Sequence, residues 1–191
     1  MHLFTSVEIS KMIPLLDYSD SLLCMGSCFA TEIGSRLQEA KMHCQVNPFG
    51  VLYNPMSIAT SLRTLLDKKY PKEDDFVSYG GLWHSLSFHG DYSSLTKEGL
   101  SENIWHSLDV CQDVLKQLSC LLVTFGSAYV YEWKETGKVV ANCHKMPEKL
   151  FNRRRLEVNE IVDAYRILLQ DIWQVNPTMR VLFTVDRKSV V

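Results

Sequence analysis

The sequence predicts an α/β domain, a three-layer α/β/α sandwich built around a mostly parallel sheet. Two short apolar runs, Ser21-Leu22-Leu23-Cys24-Met25 and Cys120-Leu121-Leu122-Val123-Thr124-Phe125, are each stopped by a glycine, as strands buried on both faces are. Between and after them lie segments with apolar residues three and four apart, the spacing of helices that cover a sheet. At 191 residues the chain suits one buried core and is short for two. Residues 1–191 therefore read as a single domain, with a lead-in over 1–20 that turns near Pro14 and Asp17.

After the first strand, Phe29 to Lys41 carries Phe29, Ile33, Leu37 and Ala40 at helical spacing. His43 to Val46 reads as a second strand and runs into a turn-rich loop, Asn47-Pro48-Phe49-Gly50. Pro55 suits the first position of a helix through Asp67, with Ile58, Leu62, Leu65 and Leu66 on one side. Residues 70–95 read as irregular, with a turn at Tyr79-Gly80-Gly81 and a short strand over Leu82 to Phe88. A long helix is expected from Lys97 to Leu118, burying Ile104, Leu108, Cys111, Leu115 and Leu118. Tyr129–Trp133 and Lys138–Ala141 flank Glu135-Thr136-Gly137 as a hairpin. A helix from Leu156 to Trp173 and a strand from Arg180 to Val185 complete the pattern.

A formal charge of −2 gives no electrostatic reason to bind nucleic acid or an anionic membrane. The basic run Arg153-Arg154-Arg155 reads as a solvated face before a helix. No apolar stretch is long enough to span a bilayer, and the N-terminus lacks the basic flank and apolar core of a signal peptide. The expectation is a cytoplasmic protein whose six cysteines are unpaired thiols. The Cys and His spacings fit no zinc motif, and there is no phosphate loop or dinucleotide fingerprint, so neither metal nor cofactor is implied.

In a parallel sheet, ligands meet loops beyond the C-terminal ends of the strands. Three such loops carry chemistry here: Gly26-Ser27-Cys28, Asn47 to Gly50, and Gly126-Ser127 with its continuation to Asn142-Cys143-His144-Lys145. Cys28 stands where a strand meets a helix, and the positive end of that helix favours thiolate, the nucleophilic form. Ser27 is the rival nucleophile. Backbone N–H groups of this turn and of Gly50 can hold an oxyanion. Asn142 offers an amide donor and His144 a base. His84 and His89 are further candidates. Each has a plain structural alternative: Gly26 making a turn, Cys28 filling space, His144 capping the hairpin end, His84 and His89 serving the fold.

Gly26-Ser27-Cys28-Phe29-Ala30 is the motif that names the GSCFA family. The similarity continues through Asn47–Pro55, Leu82-Trp83-His84-Ser85 with His89, Thr124–Tyr131 and Val140–Pro147, in the family's order. The chain thus resembles the GSCFA family, bacterial proteins similar in fold to SGNH (GDSL-type) hydrolases. The resemblance implies a nucleophile after strand 1, with Gly26 in the glycine place, Ser27 in the aspartate place and Cys28 in the serine place. It implies Gly50 as the second-block oxyanion glycine and Gly126 as the third-block glycine. The asparagine beside that glycine is missing, and Asn142 is a substitute donor. Relatives continue past the last strand with Ser-Pro-Val and a histidine, whereas here Asp186-Arg187-Lys188-Ser189-Val190-Val191 follows and no histidine comes after His144. That pattern reads as a truncated C-terminus.

The function these readings imply is hydrolysis or transfer of an ester-linked acyl group, with a small-molecule or glycan ester as substrate. Catalysis would use Cys28 or Ser27, with His144 or the absent late histidine as base. Gly50, Asn142, Gly126, Asn47, His84 and His89 would form the oxyanion and substrate-binding set. The alternatives are a catalytically silent acyl- or glycan-binding module, or a fragment of a longer enzyme without activity of its own.

Overall fold

The computed structural model describes residues 16–186 apart from Gln112. Residues 1–15 of the expected lead-in, and residues 187–191 on which the truncated-end reading rests, lie outside them. Four parallel strands form the central sheet: β1 (Ser21–Gly26), β2 (His43–Val46), β5 (Cys120–Phe125) and β9 (Arg180–Val185), in the order β2-β1-β5-β9. All four C-terminal ends therefore lie along one edge. The chain leaves β1 toward β2 and later returns to β1's other side with β5. The sheet order reverses at β1, which makes the β1/β5 crevice the topological switch point.

The two faces of β1 and β5 bury different partners. Leu23, Met25, Leu121 and Val123 join the main core with α2 (Pro55–Asp67), α3 (Lys97–Val110) and α5 (Val158–Val175). The other face takes α1 (Cys28–Glu39), which packs on β1 and β2 and buries Ala30 and Gly34. A side chain at Gly34 would meet Val46 Cγ2 at 2.4 Å, so glycine lets this helix lie close to the sheet. The result is the α/β layering expected from the glycine-stopped apolar runs. The six cysteines are free thiols; Cys24 and Cys44, on neighbouring strands, have sulfurs 3.5 Å apart.

The structure departs from the expectation in three places. The helix expected over Lys97–Leu118 is broken after Val110, and α4 (Val114–Gln117) is a separate turn. Cys111 N–H bonds the Leu108 carbonyl, Val114 N–H bonds the Cys111 carbonyl, and the Cys111 thiol donates to Gln45 Oε1 at 3.0 Å. Ile104, Leu108, Leu115 and Leu118 are buried on both sides of the break, so apolar spacing carries no sign of it. Residues 70–95 hold a true hairpin, β3 (Phe76–Tyr79) with β4 (Leu82–Ser85), turned by Gly80 and Gly81 at positive φ. The expected strand over Leu82–Phe88 is the shorter β4. The basic run lies in an unforeseen strand, β8 (Phe151–Arg155), antiparallel to β6 (Tyr129–Trp133), which also pairs with β7 (Val139–Val140). Arg154 there bonds Glu132 at 2.7 Å and Glu160 at 2.8 Å, so a run of charges pairs across strands instead of alternating with apolar residues. No helix of the described residues is long and apolar enough to cross a membrane.

At their ends β1 and β5 approach too closely for any side chain at Gly26. Gly26 has φ +135, and a Cβ on it would fall 2.0 Å from the Thr124 carbonyl oxygen. Gly26→Ala should lose more than about 3 kcal/mol of stability, since both the backbone conformation and the space exclude a methyl group. Chemical denaturation measures this, and a midpoint equal to wild type would contradict the close approach.

Candidate functional site

The end of β1 is gripped from two sides. Asn47 Oδ1 accepts the Gly26 N–H at 2.8 Å, and Gly26 O accepts the Leu52 N–H at 2.9 Å. Ser27 N–H reaches across to the Thr124 carbonyl at 3.1 Å. The N–H groups of Gly126 and Ser127 both bond the Tyr53 carbonyl, at 2.7 and 2.8 Å. The loops after β1, β2 and β5 are thereby laced into one backbone assembly at the switch point. Gly126 is small by necessity: a Cβ there would stand 2.9 Å from Ser27 Cβ and 2.9 Å from Tyr53 Cδ1.

Ser27 and Cys28 take different places on this assembly. Ser27 is fully buried and caps α1, its Oγ accepting the Phe29 N–H at 3.3 Å. The same hydroxyl donates to Asp186 Oδ2 at 3.4 Å. Cys28 is the first residue of α1 and is exposed. Its N–H belongs to the set that an α-helix leaves without an intrahelical acceptor, which is where an oxyanion finds donors.

Asn47 uses its carbonyl on Gly26 and its amide on Thr31 Oγ1 at 2.9 Å, so both ends of its side chain serve the junction. Gly50 donates its N–H to the Asn47 carbonyl at 2.7 Å. Its φ of +77 turns the loop, and its Cα lies against His89, where a Cβ would sit 2.2 Å from His89 Cβ. Asn142 accepts the His144 N–H at 2.8 Å. The His144 ring is buried, stacks on His84 with centroids 4.4 Å apart, and gives Nε2–H to the Ser85 carbonyl at 2.9 Å. His84 is tied at both nitrogens, to Ser93 Oγ and the Tyr79 carbonyl. Among the described residues, no hydrogen bond joins any of these rings to Ser27 or Cys28.

Beside the junction a cleft of about 540 Å³ opens between the loop after β2, with Val51, Tyr53 and Asn54, and the β7-β6-β8 sheet. Its walls include Tyr53, His89, Ser127, Tyr129, Asn142 and Arg153. The Arg153 guanidinium stacks over Tyr129 at 4.0 Å. Tyr53 and Ser127, the residues bonded around Ser27, belong to this wall; Ser27 and Cys28 themselves do not. Gly50 and Asn47 line a second hollow of about 670 Å³. Among the described residues no three His, Cys, Asp or Glu side chains gather as metal ligands.

The GSCFA family model matches residues 21–186, the span that carries this junction and every strand of the sheet. The chain belongs to the GSCFA family. No curated protein and no solved structure matches this GSCFA chain. Two carboxylates join the site that the sequence reading passed over. Asp186 follows β9, whose end shares the edge with β1, and chain position alone could have pointed to it. Asp91 lies two residues beyond His89 and pairs with its ring at 3.0 Å.

Burial pushes the His144 pKa down from 6.5 to about 4, against its hydrogen bond to Ser85. The unfolded chain therefore takes up this proton first as pH falls. The folded state should lose about 3 kcal/mol from this group between pH 6.5 and 4, at 1.36 kcal/mol per unit. Stability measured by denaturant at pH 7 and pH 4.5 tests this. His144→Gln should flatten part of that slope, and an unchanged slope would assign it elsewhere.

Proposed function

We propose that this GSCFA protein performs acyl chemistry of the SGNH type, hydrolysing or transferring an ester-linked acyl group at the β1–α1 junction. One observation supports this above others: an accessible thiol, Cys28, sits at the first position of a helix that starts at the switch point of a parallel sheet. A nucleophile there meets a carbonyl substrate in the field of the helix N-terminus, with the Cys28 N–H, at the first position of the helix, as the donor for the tetrahedral oxyanion. Cys28 forms the acyl thioester, and water or an alcohol then takes the acyl group, which makes hydrolysis and transfer two outcomes of one intermediate. Ser27 supports the turn from beneath, as cap of α1 and partner of Asp186. The aromatic wall of the neighbouring cleft, Tyr53, Tyr129, Tyr131 and Phe151, suits an acyl chain or the face of a sugar ring.

A second reading, a binding module without turnover, is favoured by a separate observation. The cleft's lining omits Cys28, and the buried His144 makes its ring hydrogen bond to Ser85. In that reading the cleft alone is the functional surface.

A thiol-directed acylating probe separates the two. In the acyl reading Cys28 is labelled faster than the other five cysteines, of which Cys24, Cys111 and Cys120 are buried. Cys28→Ala should abolish that labelling and reduce hydrolysis of p-nitrophenyl acetate by at least about a hundredfold. Equal labelling and turnover in wild type and Cys28→Ala would remove Cys28 from the role, and ligand binding retained without turnover would favour the binding module.

A further inference from the structure

Two thiols on neighbouring strands touch. Cys24 of β1 and Cys44 of β2 have sulfurs 3.5 Å apart. In the parallel register Leu22 stands opposite Cys44 and Cys24 opposite Val46, so the two cysteines are diagonal neighbours. They lie on the face that α1 covers, since Leu23 and Met25 belong to the main core on the other side. The pair is unequal. Cys24 is fully buried, whereas Cys44 is half-buried and lines the second hollow, of about 670 Å³. Cys44 has the Gln45 carbonyl as an acceptor for its own S–H at 3.6 Å, so the Cys24 S–H is the one that donates between the two sulfurs. That bond holds the Cys44 pKa below the usual thiol value and raises that of Cys24, which burial raises further. Cys44 thus becomes thiolate first, and it is also the sulfur nearer to solvent. A thiolate is the form that attacks a peroxide.

We infer that Cys44 and Cys24 are a modification site for a hydroperoxide, oxidised to a disulfide whose closure draws β2 along β1. The Cys44 thiolate attacks the peroxide; an S–O bond forms, the O–O bond breaks, and the departing hydroxide is protonated to water. Cys24, already in contact, attacks the sulfenic sulfur. The S–S bond forms, the S–O bond breaks, and the oxygen leaves as water with the Cys24 proton. Two thiols are oxidised and one hydrogen peroxide is reduced to two waters. Diagonal neighbours on adjacent strands stand roughly 7–8 Å apart at Cα, and a disulfide holds its Cα atoms within about 6.8 Å, so one strand must move by about 1 Å. β2 is the strand that moves: it is a four-residue, half-buried edge strand, while β1 is buried between β2 and β5. β2 runs straight into Asn47, whose N–H bonds the Cys24 carbonyl at 2.8 Å and whose Oδ1 holds the Gly26 N–H at 2.8 Å. Displacing Cys44 displaces Asn47, and the turn that presents Cys28 loses a fastening. A disulfide closed under such strain is readily reduced, so a thiol reductant resets the strand. That this regulates catalysis rests on the acyl reading above; the disulfide and the movement of β2 do not.

Two measurements test this. The Cys28→Ala chain, which lacks the exposed thiol, is treated with hydrogen peroxide, alkylated and mapped by mass spectrometry without reduction. A Cys24–Cys44 disulfide should be the main product, dithiothreitol should restore both thiols, and a further Cys44→Ser substitution should abolish the product. Cys44 ending as a sulfinic acid, a disulfide from Cys24 to Cys120, its diagonal neighbour on β5, or no loss of thiols overturns the inference. Hydrogen exchange of the same chain reads the movement. The Gly26 amide should exchange at least about tenfold faster after oxidation, and peroxide should leave it unchanged once Cys44 is serine. A Gly26 amide that keeps its reduced rate in the disulfide form overturns the movement of β2. Neither measurement uses turnover. If the wild type hydrolyses no p-nitrophenyl acetate, the acyl reading falls, and the mapped disulfide and the Gly26 exchange rate still decide the fate of this one.

Discussion

The approach of Gly26 to the Thr124 carbonyl is the constraint from which the rest of the site follows. With no Cβ, β1 can end against β5 at φ +135, and Ser27 N–H can bond the same carbonyl that a side chain would have struck. This contact brings the last residue of β1 and the loop after β5 together where the sheet order reverses. Asn47 and Leu52 then fasten the free N–H and C=O of Gly26 to the loop after β2. A buried backbone that turns this sharply needs every polar group satisfied, and here neighbouring loops satisfy them. The loops are therefore positioned by the backbone of the junction together with the Asn47 side chain, which ties Gly26 to Thr31.

The same economy divides labour between Ser27 and Cys28. An N-cap hydroxyl that accepts a backbone N–H is held in one rotamer, and full burial removes it from bulk solvent. The next residue, Cys28, is exposed at the first turn of α1, while the N–H groups of Phe29, Ala30 and Thr31 behind it are taken up by Ser27. A hydroxyl and a thiol one residue apart thus differ in access far more than in position. Asp186 arrives at the buried hydroxyl from β9, so the fourth strand of the sheet also contributes to the edge.

Much of this was legible in the sequence, for physical reasons that also mark where legibility ended. Strands β1 and β5 are announced by apolar runs that end in glycine, because a strand buried on both faces has no polar alternation. Helix α2 is announced by Pro55 and its apolar stripe, and Asn54 caps it in the structure as well, bonding Ser57 N–H at 2.8 Å. The break between α3 and α4 was not legible, since Leu108 and Leu115 keep helical register across it and the cause is a set of contacts to Gln45 and within the turn. Strand β8 was not legible either, because Arg153 and Arg154 are held by Tyr129, Glu132 and Glu160 from other elements. The site residues Ser27, Cys28, Gly50 and Gly126 were picked out by their positions after strands. The different surroundings of His84, His89 and His144 were not, because nothing in their spacing says which ring nitrogens the backbone will occupy.

The turn at Asn142–Lys145 shows how the fold holds one of those rings. His144 and Lys145 both adopt positive φ, 49° and 58°, a conformation that disfavours side-chain-bearing residues. Two successive residues in that region are strained by about 1 kcal/mol each or more. The bond from His144 N–H to Asn142 Oδ1, the ring bond to Ser85 and the stack on His84 offset this. The strain does not bring His144 a charged partner, since it inserts the ring into a buried place where a proton is disfavoured. A ring placed at such cost and kept neutral works as a fixed dipole and packing surface. Its stack with His84 and its bond to Ser85 stiffen the end of β4 just ahead of His89. The Asn142 turn thus bears on the cleft twice, through Asn142 in its wall and through the rigidity it lends to the segment that presents His89.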